Sequence, residues 1–322
     1  MWRVRVLLIL LVILIIIVAS LSICVGAKDI ISITNEKNKI VVDKNGNGDF
    51  LSIQDAIDFA HEGNIVFVNS GVYNEIIEIK KEISIIGEDK VNTIINPISE
   101  KNKYAIFIGS PYVKIIGFSI TNEASGFYTS GIQIASSKVE IINCNIYDVP
   151  VGIAIWSSNN IINNCHFWGC SDEGIALVGS IFSECFRNEI SNCKFFDNCD
   201  GIELQYSSYN LIKNCEIYEN THIGIDAIIS SNNFNRILNC KIYDNKVYGI
   251  FFVSSLNNQI IDCIINENRF GNVVFRKNLS DNKIEIKDSI EFSSKDKENF
   301  FVSFYEILPI FDIFISNIFI NL

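Results

Sequence analysis

The sequence predicts an all-β fold, a parallel β-helix in which one short strand after another coils about a common axis. Three markers that return together along the chain predict it. A Gly-Ile pair recurs at Gly131-Ile132, Gly152-Ile153, Gly174-Ile175, Gly201-Ile202, Gly224-Ile225 and Gly249-Ile250, with steps of 21, 22, 27, 23 and 25 residues. An Asn-Cys pair keeps pace at residues 143–144, 164–165, 192–193, 214–215 and 239–240, and Asp262-Cys263 continues it. The third marker is an asparagine, at Asn198, Asn220, Asn245 and Asn268. Self-similarity at this period is the mark of a solenoid.

Each marker has a physical job in such a coil. Runs such as GIELQ and NCEIY alternate with a period of two, so alternate side chains point inward. Two residues after each cysteine stands Ile146, Phe167, Phe195, Ile217, Ile242 or Ile265, which extends the inward pattern. On coils of similar length, like residues stack at about the 4.8 Å spacing of strands, and Ile, Cys and Phe columns fill a continuous interior. Asparagine tolerates left-handed backbone at turns and bonds to its own kind up the stack. No i, i+3, i+4 periodicity of a helical repeat is present. Variable steps mean that turns lengthen between strands of fixed length.

The segment ahead of the repeats reads as the entry to the coil. Residues 49–63 place Ile53, Ala56, Ile57 and Ala60 on one face of a short helix, with Ser52 at its N-terminus and Asp55 three residues on. This helix is expected to cap the first turn, since a solenoid must hide its end strands. Residues 28–298 are expected to form the β-helix. The apolar segment 299–322, broken by Glu306, Pro309, Asp312 and Asn317, is expected to cover the far end.

Composition narrows the partners. The 322 residues are 48% hydrophobic, enough for a large core. A net charge of −11 without a basic stripe repels nucleic acid and anionic membrane surfaces. Residues 1–27 carry Arg3 and Arg5 and then an uncharged run from Val6 to Ala27. That pattern reads either as a cleaved export signal or as a membrane anchor with the remainder outside. Either way the protein is expected to be exported, secreted or held on the outer side of the cell membrane.

At Val41–Ile57 (VVDKNGNGDFLSIQDAI) and Gly71–Glu75 (GVYNE) the chain resembles the opening of pectin methylesterases. Its later Gly-Ile and Asn-Cys repeats are similar to those of carbohydrate-binding and sugar-hydrolase β-helix modules. Such modules also occur in the copper-maturation protein of nitrous-oxide reductase and in archaeal surface proteins. The resemblance spans roughly residues 40 to 290. It implies a right-handed parallel β-helix of the pectin-lyase-like superfamily and a polysaccharide partner. It does not carry an activity, because one fold hosts many functions. The Asp-Phe-Ile-Phe-Gly and Gly-Arg-Pro-Trp segments of pectin methylesterases are absent. The polygalacturonase motifs are reduced to an echo at Asn198-Cys199-Asp200-Gly201.

The chemistry-bearing residues gather on three repeats. Relative to the repeat glycine, Glu173 and Asp200 share one column, Glu203 and Asp226 a second, and Asp172 and His222 a third. The equivalents of Glu203 elsewhere are Gln133, Ala154, Ala176 and Phe251, so the acidity is local. Carboxylates on neighbouring turns raise one another's pKa. They suit the acid and base of a glycosidase, or the hard oxygen ligands of Ca²⁺, or form a solvated acidic face with no chemical task. The catalytic candidates are therefore Glu173, Asp200, Glu203 and Asp226, with Trp156, Gln205 and His222 as sugar-contacting candidates. Three readings stay open: a surface protein that recognises carbohydrate, a polysaccharide hydrolase or lyase, and a structural envelope or adhesion protein.

No cofactor is expected, with Ca²⁺ the one ion in play. The loop Asp43–Asp49 matches the early spacing of a calcium-binding EF-hand, but its twelfth position is Gln54. The cysteine column reads as small core residues rather than a tetrahedral metal cluster. Cys170, Cys185 and Cys199 fall in loops and are the disulfide candidates. Three histidines and one methionine, at position 1, speak against copper. The rings of Tyr147, Trp168, Phe196, Tyr218 and Tyr243 form a further column, expected to pack on each other or to stack on sugars. Ile202→Ala is expected to cost far more stability than Glu203→Ala, which faces outward.

Overall fold

A computed structural model describes residues 38–288, apart from the short segments 98–103, 123, 125–128, 181, 184, 228–231 and 277–281. The expected N-terminal signal or anchor and the apolar segment 299–322 lie outside the described residues. Among those described, no helix is long and apolar enough to cross a membrane.

Among the described residues, successive turns of the coil contribute strands to three faces, and the strands pair in parallel. On the first face Glu140–Ile142 pairs with Ile161–Asn163, which pairs with Glu189–Ser191. On the second, Asn145–Tyr147, His166–Trp168 and Lys194–Phe196 follow one another. The two faces join where the long strand Gln259–Asn266 pairs with both Arg236–Leu238 and Lys241–Tyr243. The third face is a nine-stranded sheet that includes Ser130–Ile134, Val151–Ile155, Glu173–Val178, Asp200–Gln205, Ile225–Ala227 and Tyr248–Val253.

The core follows the predicted columns. Ile132, Ile153, Ile175, Ile202, Ile225 and Ile250 lie in one register on the third sheet, and all are fully buried. The file extends upstream to Ile106 and Ile77 and downstream to Val273. The second column runs through Phe167 and Phe195, whose rings stack at 4.7 Å. Cys144, Cys165, Cys193, Cys215, Cys240 and Cys263 are all buried as free thiols.

Backbone conformation at the corners explains the repeated polar residues. Asn143, Asn164, Asn192, Asn214, Asn239 and Asp262 all have φ between 53° and 58°. They make the left-handed corner between the first and second faces, and Asn is the residue after Gly that accepts this conformation most readily. Behind the next corner stands the buried ladder Asn198, Asn220, Asn245 and Asn268. Each carbonyl oxygen in the first three steps accepts both the backbone and side-chain N–H of the residue one turn before, as Asn220 does from Asn198 at 3.2 and 3.0 Å. A second buried ladder joins Asn160, Asn188, Asn210, Asn235 and Asn258. These bonds satisfy polar groups that the corners would otherwise strand inside the coil.

The expected capping helix is present over Ile53–Phe59. Ser52 accepts from the Asp55 N–H at 3.2 Å, and Ile53, Ala56 and Ile57 are buried. Glu75, on the next turn, accepts from the Ser52 hydroxyl and from the N–H groups of Ile53 and Gln54. Two expectations about cysteine are corrected. Cys170 and Cys185 are not loop thiols waiting for partners but are 2% and 1% exposed. Cys170 heads the asparagine ladder, its N–H bound to the Asn198 side chain. Cys185 belongs to a short strand paired with Ser207–Ser208. Among the described residues every cysteine is free.

Candidate functional site

The outer surface of the third sheet collects the acidic residues, and the repeat glycine is the reason. A Cβ on Gly201 would meet the Gly224 carbonyl at 2.5 Å and Ile217 Cγ2 at 2.7 Å, so this position looks inward. The next residue, Ile202, also looks inward. Two inward positions in succession break the alternation and place both Asp200 and Glu203 on the outside. Register then aligns Glu173 with Asp200, and Ala176, Glu203 and Asp226 in file. The predicted columns are therefore real neighbours.

The surroundings differ from the expected solvated face. Glu173 is 6% exposed, Glu203 4%, Asp226 4%, Asp200 8% and Gln205 8%. Alternation separates the inside of the coil from its outside, but it carries no information about what packs over the outside. Glu203 faces outward from the coil as expected, but it is buried rather than solvated. Its carboxylate accepts from the Gln205 side-chain amide at 2.7 Å and is hydrogen-bonded to Glu173.

Burial, then the charge of Glu203 and the bond to it, push Glu173 well above its ordinary value of 4.5. Burial also raises Glu203, against the pull of its bonds from Glu173 and Gln205. Asp172 is raised by burial as well, opposed by a bond with Glu173 and by His222. Burial and the neighbouring Glu203 carboxylate thus favour the neutral form of Glu173 over its charged form.

This raised group carries a linkage prediction. The folded state holds the proton more tightly than the unfolded chain, so the stabilisation is complete below the ordinary glutamate value and is lost as pH rises through the folded value. Unfolding free energy should fall by about 1.4 kcal/mol per pH unit for one such proton in that window. Urea titrations of Glu173→Gln should show a flatter profile there. A variant with the wild-type slope would mean that the pair holds no proton.

The more open rim of the site is Asp200, His222 and Cys199. His222 Nδ1 lies 2.8 Å from Asp200 Oδ1, with side chains 23% and 11% exposed. The same oxygen accepts the Ile223 N–H at 2.6 Å. Cys199 completes a group in which thiol, carboxylate and imidazole donors all lie within 4.8 Å of one another. Sequence reading set Cys199 aside as a disulfide candidate. Its column was the missed signal, since Asp172, Cys199 and His222 each stand two residues before a repeat glycine.

Of the sugar-contacting candidates, Gln205 and His222 join the acidic group, while Trp156 stands apart. It follows Ile155 as Val178 follows Leu177 and Gln205 follows Leu204 in the adjoining strands. Trp156 thus lies two turns, about 10 Å, along the axis from Gln205, and is 55% exposed. Between Trp156 and the carboxyls the sheet carries only Ala154 and Ala176 in the Glu203 file.

Two other candidates resolve into structure. In the Asp43–Asp49 loop, Asp43 accepts from the Asn45 N–H and from the side-chain amides of Asn47 and Asn69. Asp49 accepts from the Val41 N–H. The loop carboxylates face backbone and amides instead of a common centre, so this is an entry turn and not an EF-hand. The rings of Tyr147, Trp168, Phe196, Tyr218 and Tyr243 stack on one another at 4.7, 5.8, 5.4 and 5.1 Å. Both faces of Trp168, Phe196 and Tyr218 are taken up by neighbouring rings, so the column packs on itself.

Comparison with known proteins agrees with this architecture. Over 164 residues the chain is 28% identical to "Probable pectinesterase 67" of Arabidopsis thaliana, covering 45% of this chain and 48% of that protein. Over 215 residues it is 25% identical to a "Pectinesterase" of Petunia integrifolia, covering 61% and 58%. The chain thus spans about half the length of the curated relatives it matches. Among solved structures, pectate lyase Pel9A superposes with a TM-score of 0.54 at 14% identity, over 81% of this chain and 78% of that one. That likeness shows the pectin-lyase-like right-handed parallel β-helix. Residues 115–286, more than half of the 322, match the family described as "Periplasmic copper-binding protein (NosD)", and the chain belongs to that family.

Proposed function

We propose that this protein is an exported β-helix that recognises a polysaccharide along the outer face of its third sheet. The observation that carries this reading is the local composition of that face. An exposed indole at Trp156, a floor of Ala154 and Ala176, and the polar group of Asp200, Gln205 and His222 follow one another along the axis. A flat apolar ring beside convergent polar groups is the make-up of a sugar site. The pectinesterases and pectate lyases among its relatives support a polysaccharide partner. The excess of carboxyls favours a neutral glycan over a polyanionic one.

A glycan array probed with the full-length protein tests this. Trp156→Ala is expected to weaken binding to any hit by tenfold or more while leaving the melting temperature within a degree or two, because an exposed ring contributes little to stability. Undiminished binding by that variant would sink the reading.

The buried carboxyl pair of Glu173 and Glu203, with Glu173 raised by burial and by its neighbour's charge, favours a second reading, in which the bound glycan is also cleaved. Glu173 supplies the acid, and Asp200, held by His222 at 2.8 Å, is the second carboxyl. Product analysis on array hits separates the two readings. Cleavage lost in both Glu173→Gln and Asp200→Asn, with binding retained, is the result expected of an enzyme.

The family description also raises copper. The six-thiol column does not fit it, because those sulfurs point at backbone carbonyls of the interior, as Cys193 Sγ does to Ser191 at 3.2 Å. Cys199, Asp200 and His222 do fit a metal of borderline softness, through one sulfur, one oxygen and one nitrogen donor. A metal held there would polarise a bound oxygen.

A further inference from the structure

We propose that Cys199, Asp200 and His222 form a binding site for a divalent transition-metal ion. The repeat builds the site. Asp172, Cys199 and His222 occupy the same position, two residues ahead of Gly174, Gly201 and Gly224, on three successive turns. The backbone keeps them in file: the Asp200 N–H donates to the Asp172 carbonyl at 3.0 Å, and the His222 N–H to the Cys199 carbonyl at 2.9 Å. Asp200, one residue on, turns its carboxylate back to His222 at 2.8 Å. The corresponding residues on the flanking turns are Pro150 and Val247, which carry no ligand atoms. A core-building repeat has no use for an Asp-Cys-His file, and these positions lie at the corner leading into the sheet, outside the hydrophobic interior.

The donor set chooses the ion. One thiolate with one imidazole and one carboxylate is too soft a set for Ca²⁺ or Mg²⁺, which take oxygen. It is harder than the all-thiolate sets of Cu⁺ and iron–sulfur centres, and it suits Zn²⁺, Co²⁺ or Cu²⁺. The inference does not rest on the polysaccharide reading, and it needs no glycan.

Cobalt titration of the full chain, purified in its reduced state without chelator, reads the site directly. Co²⁺ is expected to bind at one equivalent and to produce a sulfur-to-cobalt charge-transfer band. Zn²⁺ should displace it, and Cu²⁺ should bind more tightly than either. Cys199→Ser should abolish the band, and His222→Gln should weaken Co²⁺ binding at least tenfold. Trp168→Phe, a remote ring change, serves as the control and should titrate like the wild type. Near-ultraviolet circular dichroism confirms that each variant is folded. Should Cys199→Ser misfold, Zn²⁺ protection of the Cys199 thiol from alkylation in the wild type takes its place. Absence of the band, an undiminished band in Cys199→Ser, or Zn²⁺ leaving Cys199 as reactive as before would each overturn the proposal.

Discussion

Ile202→Ala is expected to lower the unfolding free energy by about 2–5 kcal/mol, the usual cost of deleting methyl groups inside a packed core. Ile202 is fully buried in mid-column, with Ile175 and Ile225 as its neighbours on the adjoining turns. The gap cannot close by collapse. The spacing of the turns is set by backbone bonds on all three faces, so a lost side chain leaves a cavity. Urea titration measures the effect. A loss below about 1 kcal/mol would mean that the column relaxes, contrary to a core held by hydrogen-bonded coils.

Asn220→Ala should cost a comparable amount for a different reason. The Asn220 side-chain oxygen accepts two bonds from Asn198, and its amide donates to the Asn245 side chain at 2.9 Å and to the Phe195 carbonyl at 3.4 Å. Removing it strands several buried polar groups, at about 1–3 kcal/mol each for those that no water reaches. Asn220→Asp isolates the donor. The shape and acceptor remain, but at neutral pH a buried carboxylate replaces the amide. Burial raises the pKa of the new acid above the ordinary value near 3.9, so the deficit relative to wild type should shrink as pH falls through the raised value and the acid regains a donor proton. Chemical denaturation at several pH values follows that difference. A deficit independent of pH would show that the ladder bonds do not carry the stability.

Glu203 shows how far the sequence could be read and where it stopped. The columns of Ile, Cys, Asn and acid were all legible. Each depends only on residues recurring at one coil length, and parallel pairing turns that period into contact. The capping helix was legible too, from Ser52 and the spacing of Ile53, Ala56 and Ile57. In the acidic group, the alignment of Glu173 with Asp200 and of Glu203 with Asp226 followed from counting alone.

Only the tertiary structure decided what those side chains meet. Alternation marks Glu203 as outside the coil, yet it lies buried beside Glu173, whose neutral form burial favours. Cys170 and Cys185, apparent loop residues, are core, while Cys199 stands with His222 and Asp200 at a corner. The physical reason is the range of the interactions. A repeat encodes which residue sits above which, because hydrogen bonding between neighbouring turns is periodic. The burial of a carboxylate and the convergence of unlike donors depend on corner conformation and on which unlike side chains pack beside one another on the outer face, and these are not periodic.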